Sequence, residues 1–112
     1  MAPHCPKRGD IVWIAFDPQS GHEQAGRRPA VALSPEAYNR KTGLALFCPI
    51  SSREKGYAFE IKIPVGLKVS GVIISDQVKS MDWNARRSEF ACHLPHAALT
   101  AVTDRISTLL SS

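Results

Sequence analysis

A chain of 112 residues, 44% hydrophobic and 21% charged, has the material for one packed domain and too little for two of ordinary size. No apolar run approaches the roughly 18 residues of a membrane-spanning helix, the opening MAPHCPKRGD holds no apolar leader, and Cys5, Cys48 and Cys92 match neither a disulfide framework nor a zinc spacing. Fourteen Lys and Arg against ten Asp and Glu leave a charge of +4, a modest tilt toward polyanionic partners. These features predict a single cytoplasmic domain over residues 1–112, away from any membrane, with three free thiols.

Residues 1–10 read as a loose start, with Cys5 inside it and a turn at Gly9-Asp10. IVWIAF, residues 11–16, has the β-branched and aromatic content of a strand. DPQSGHEQAGRRP, residues 17–29, then gathers turn residues, a carboxylate, an amide and two guanidinium groups in one long polar loop. Pro29 fixes its own φ and biases Arg28 toward extended backbone, so Arg28 stands where loop becomes strand. AVALS, residues 30–34, is the next strand; Ser34 is placed to cap a short helix that begins at Pro35 and ends at Gly43.

LALFCPI, residues 44–50, is a nearly continuous apolar run, expected to be central and covered on both faces. A polar segment from Ser51 to Gly56 must surface, and YAFEIKI, residues 57–63, alternates cleanly, with Tyr57, Phe59, Ile61 and Ile63 on one face. Short strands follow over 71–75, 77–83 and 88–94, the last with Phe90, Cys92 and Leu94 sharing a face. From Pro95 the period changes: Leu99, Val102, Ile106 and Leu109 lie three or four apart, which predicts an amphipathic terminal helix packed on the strands. Six or seven short strands and one closing helix predict a mainly β, small, largely antiparallel barrel.

Glu23, Arg28 and Ser51 are the polar groups to place together, because two bracket the loop and the third ends a central strand. Without a metal cluster, a guanidinium, a hydroxyl and a carboxylate suit phosphoryl transfer. The guanidinium fork binds two phosphate oxygens, the hydroxyl donates to another, and the carboxylate accepts a proton from a 2′-hydroxyl, so RNA supplies its own nucleophile. No metal or cofactor is called for. Each group also has a plainer reading. Arg28 and Glu23 can be surface charges or ion-pair partners, Ser51 and Ser52 turn residues, and Lys55 loop solvation. Trp13, Phe16 and Trp83 read as core rather than stacking platforms. His22 has the right pKa range for acid or base work and no ligand spacing with His4, His93 or His96; Asp76 and Gln77 either meet a base edge or order a rim. No phosphate-loop, zinc-protease or hydrolase-elbow string occurs.

Three stretches in order, GDIVWIAFDPQSGHEQAGRRPAVALSPEAYN, TGLALFCPISSREKGYAFEI and GVIISDQVKSMDW, make the chain resemble the MazF/PemK toxins of bacterial toxin–antitoxin pairs. The resemblance covers most of the sequence through Trp83 and implies a PemK/SH3-like barrel, a homodimer and a MazE-like antitoxin with an extended acidic tail. It also implies ribosome-independent, sequence-specific cleavage of single-stranded RNA, leaving 2′,3′-cyclic phosphate and 5′-hydroxyl ends. By position, Arg28 matches the family's catalytic arginine, Glu23 its active-site glutamate, and Ser51 the place of a catalytic threonine, with the hydroxyl kept. Gln24, Arg27, Lys55, Asp76, Gln77 and Lys79 are then the expected RNA contacts. Two other readings stand beside it: a CcdB-like barrel that poisons a topoisomerase by protein contact and cuts nothing, and a barrel that only binds nucleic acid.

Overall fold

The computed structural model describes residues 2–16 and 26–111. Within them run β1 (Asp10–Ala15), β2 (Arg27–Ala32), α1 (Glu36–Thr42), β3 (Leu44–Ser51), β4 (Glu60–Lys62), β5 (Val72–Ile74), β6 (Lys79–Asp82), β7 (Glu89–His93) and α2 (His96–Leu110). All pairs are antiparallel, in the order β4-β5-β3-β2-β1-β7, with β6 also on β3. This is the mainly β architecture with a C-terminal helix that the sequence predicts. No described helix is long and apolar enough to cross a membrane.

β3 organises the sheet. One of its edges meets β6 along Leu44–Phe47 and β5 at Ile50 and Ser51, while the other meets β2 from Phe47 to Pro49. The exchange of partners at Cys48 and Pro49 bends the ladder into a half-closed barrel. Successive residues of β1, β2 and β3 point to opposite faces, and both faces are covered. Ile11, Val31, Cys48 and Ile50 join Ile61, Ile73 and Leu94 in one core, where Val102 anchors α2 at full burial. Val12, Ile14, Ala30, Ala32, Ala45, Phe47 and Met81 form a second core. Its three alanines leave room for the Phe47 ring, and burying a side chain of that size contributes about 1.5–3 kcal/mol.

Several local expectations need correction. Ser34 does not cap α1: the cap is Pro35, and the buried Ser34 hydroxyl instead donates to Asn39 Oδ1 at 2.5 Å and accepts from Leu46 N at 2.9 Å. Gly43 does end the helix, at φ 76°. β3 is not covered throughout, because Leu44 and Leu46 stay exposed. The alternating run at 57–63 forms ladder only from Glu60 to Lys62, and Tyr57 is exposed. In β7 the register steps from Ile11↔Cys92 to Val12↔Phe90, so Ala91 is an extra, bulged residue. The bulge turns Phe90 outward against the His4 ring while Ala91 and Leu94 face inward. On α2, Leu99 and Ile106 pack against the core, but Leu109 remains exposed.

The beginning of the chain is a packed element, not a loose one. Asp10 is 3% exposed; one carboxylate oxygen meets His4 Nε2 at 2.8 Å and Lys7 N at 2.9 Å, and the other meets His93 Nδ1 at 3.1 Å. Pro6 is buried with its carbonyl on Asn39 Nδ2, and Cys5 is half-buried. Burial works to raise the Asp10 pKa, but the Lys7 N–H and the two imidazoles outweigh it and hold it below the ordinary aspartate value. A carboxyl depressed in the folded state stabilises the protein above its unfolded pKa, about 3.9, and that contribution is lost as pH falls through the folded value. Asp10→Asn is therefore expected to lower stability at pH 7 by about 1–3 kcal/mol. Urea titrations of wild type and variant should separate at pH 7 and draw together as the pH falls through the lowered folded-state pKa of Asp10.

Candidate active site

Arg28 lies within β2, opposite Ile14 of β1. The β2–β3 register runs Ala32↔Phe47, Val31↔Cys48, Ala30↔Pro49, and Arg28 and Ser51 each lie two residues beyond its last pair. The guanidinium and the hydroxyl thus stand at one end of two neighbouring strands, the convergence expected from sequence. The Phe16 N–H donates to the Gly26 carbonyl at 3.0 Å and brings together the two described ends of the polar loop. Glu23, Gln24 and His22 lie outside the described residues.

Arg28 and Ser51 line an open groove of about 1120 Å³ together with Arg27, Lys55, Gln77 and Lys79. Sequence reasoning missed Arg53, Lys68, Tyr57 and Glu60, which also line it. Arg53 follows directly on Ser51 in the polar turn, whereas Lys68 sits in a loop with no motif around it. The described lining carries six Lys and Arg side chains and one carboxylate, Glu60. A wall so unbalanced in charge attracts a polyanion and weakens with added salt.

The lining groups differ in how they are held. Arg27 Nη2 donates to the carbonyls of Trp13 at 3.2 Å and Arg87 at 3.1 Å, and reaches Glu89 at 3.4 Å. It braces the loop exit against β1 and β7 as well as adding charge. Ser51 Oγ accepts from Arg53 N at 3.1 Å and makes only a long 3.4 Å contact to the Arg53 carbonyl, so its proton can turn toward a phosphate oxygen. Lys79 Nζ lies 5.9 Å from the centre of the Phe16 ring. Trp13 and Phe16, read from sequence as core, both line the groove, with Trp13 exposed and Phe16 half-buried. Trp83 does pack on the second core, with Nε1 on the Asn39 carbonyl at 2.8 Å.

Asp76 is not on the groove wall. Its Oδ2 accepts from the Tyr57 hydroxyl, and Oδ1 is buried with no partner among the described residues. Of its two sequence readings, the contact with Tyr57 fits ordering the rim. Beneath it, burial and the Asp76 charge push the Cys48 thiol up to about 12, so Cys48 is inert at neutral pH.

Comparison with known proteins agrees with this geometry. The family described as PemK-like, MazF-like toxin of type II toxin–antitoxin system matches residues 7–110. The endoribonuclease toxin MazF of Escherichia coli K12 is 51% identical over 86 residues, 77% of this chain and 77% of that protein. A crystal structure of MazF from Deinococcus radiodurans superimposes with a TM-score of 0.87 at 48% identity, over 96% of this chain and 97% of that one. A MazE–MazF complex from the same organism gives 0.86 at 43% identity, over 96% of each chain.

Proposed function

Because the chain belongs to the PemK-like, MazF-like toxins of type II toxin–antitoxin systems, it is an endoribonuclease toxin, and we propose that it cuts single-stranded RNA at a short recurring word using the substrate's own 2′-hydroxyl. The observation that supports this mechanism is that Arg28 and Ser51 line one groove together with five further cationic side chains. In the step, the 2′-oxygen bonds to the adjacent phosphorus and yields its proton to a base, the role assigned to Glu23. The bond from phosphorus to the 5′-oxygen breaks, and that oxygen takes up a proton from the Arg28 guanidinium, which solvent water then reprotonates. The products are a 2′,3′-cyclic phosphate and a 5′-hydroxyl end. The Arg28 fork binds the charge that grows on the phosphorane, and the Ser51 hydroxyl donates to a nonbridging oxygen. Arg53, Lys55, Lys68 and Lys79 neutralise flanking phosphates, and Gln77 faces the bases.

The same groove accounts for regulation. A MazE–MazF pair is known for a relative 43% identical to this chain, and an acidic tail laid along a cationic groove would exclude RNA. We assign this chain a MazE-like antitoxin, a homodimeric form and a cytoplasmic site of action, where cleavage of mRNA stops translation and growth. Membership in a family of endoribonucleases argues against the topoisomerase-poison reading, because a protein poison has no use for the Arg28–Ser51 pair.

The test is digestion of a long single-stranded RNA by the purified chain in excess EDTA, with fragment ends mapped and a 2′-deoxy nucleotide at one cut site. Cleavage at a recurring word, cyclic-phosphate ends and silence at the deoxy position are expected. Cleavage that persists at the deoxy position would refute the substrate-nucleophile mechanism.

A further inference from the structure

Tyr57 reaches the groove from a loop, yet it is fixed at both ends. Its N–H, with those of Lys55 and Gly56, donates to the Glu60 carboxylate at 3.0–3.2 Å, so three consecutive amides close around one side chain. At the other end its hydroxyl donates to Asp76 Oδ2, and its ring leans on Phe59 with centroids 5.7 Å apart. The hydrogen bond to Asp76, with smaller effects of burial and of the Asp76 charge, raises the phenol pKa and keeps the proton on the ring oxygen. With the hydroxyl engaged, the ring has no further polar group to offer a ligand. What remains for a ligand is the ring itself, and the residue is 49% exposed on the groove wall.

We propose that Tyr57 is a substrate-binding residue of the endoribonuclease: its ring is a platform on which one unpaired base of the RNA stacks, with Glu60 and Asp76 as the positioning residues that hold it. The inference rests on the reading of the groove as an RNA-cleaving site. Single-stranded RNA presents unstacked bases, and aromatic side chains are their common partners. A ring already immobilised at both ends gives up little conformational freedom on binding, so the stacking energy is retained as affinity. The cations beside it at Lys55 and Lys79 meet phosphates, which leaves base contact to the ring.

The experiment measures kcat and KM of the full chain on an RNA oligonucleotide carrying the cleaved word, and on copies with an abasic nucleotide at each position in turn. Tyr57→Ala is expected to raise KM about 10–100-fold, the loss of one stacked base, with kcat little changed. One abasic position should weaken the wild type strongly and the Tyr57→Ala protein hardly at all. Tyr57→Leu, apolar but without a flat ring, should behave alike and serves if the alanine variant does not fold. Asp76→Ala should raise KM with Tyr57 intact, and Asp76→Asn, still an acceptor for the phenol, should restore it. If wild type cleaves but every abasic penalty is the same with and without the Tyr57 ring, the platform is refuted. If wild type cleaves no RNA, the reading of the groove falls instead.

Discussion

Arg28→Ala is expected to slow cleavage of single-stranded RNA by about 10³-fold, within the range seen when a charge-stabilising donor or an arginine finger is removed. RNA affinity should fall only a few-fold, because five other cationic side chains remain along the groove. The two effects separate because phosphate charge in the ground state is met by the whole wall, whereas the extra charge of the phosphorane is met by the groups aimed at it. Arg28→Lys makes the argument sharper. It keeps the charge and loses the planar fork, so it should bind RNA like wild type and remain well below it in kcat. Single-turnover rates at saturating enzyme, set beside equilibrium binding to a 2′-deoxy substrate, provide both numbers. Equal losses in rate and affinity would make Arg28 a binding residue only.

The second large effect is structural and comes from Gly71→Ala. Gly71 precedes β5 at φ 122°, and a Cβ there would lie 2.2 Å from the Ser51 carbonyl oxygen and 3.0 Å from its carbon. Both obstacles are backbone, so no side chain can swing away. The adjacent pair Ser51↔Val72 must open, and with it the strand end that carries the Ser51 hydroxyl. Strain and lost pairing together are expected to cost about 2–4 kcal/mol, or a fall of roughly 10–25 °C in Tm for a chain of this size. Cleavage should be lost even where the variant remains folded. Gly66→Ala is the control: its φ is also positive, at 102°, but nothing lies within 4 Å of the added carbon, so it should cost about 1 kcal/mol and spare activity.

The order of strands and the closing helix were legible because they rest on local signals. β-Branched runs, breakers such as Pro64 and Gly71, and the change of period after Pro95 need no knowledge of distant partners. That Arg28 and Ser51 line one groove was legible for a related reason, since adjacent strands joined by a short helix pair readily and bring their ends to one rim. What escaped depends on residues far apart in sequence. Alternation cannot reveal the extra residue at Ala91, so it groups Phe90 with Cys92 and Leu94 on one face, whereas Phe90 is exposed and Leu94 buried. Asp10 and Asn39 are buried polar groups whose partners are His4, His93, Ser34 and Pro6, and no pattern along the chain announces such pairings. Trp13 looked like core because tryptophan usually is; its place beside the groove follows from the barrel leaving that end open.

The first and last strands are neighbours, and the Asp10–His93 contact that ties them spans 83 positions. During synthesis β1 leaves the ribosome long before its partner exists, and at about 5–20 residues per second the wait amounts to several seconds. Arg27, which braces the groove through Arg87 and Glu89, waits for partners 60 and 62 positions later. The groove therefore gains this brace only when most of the chain has been made.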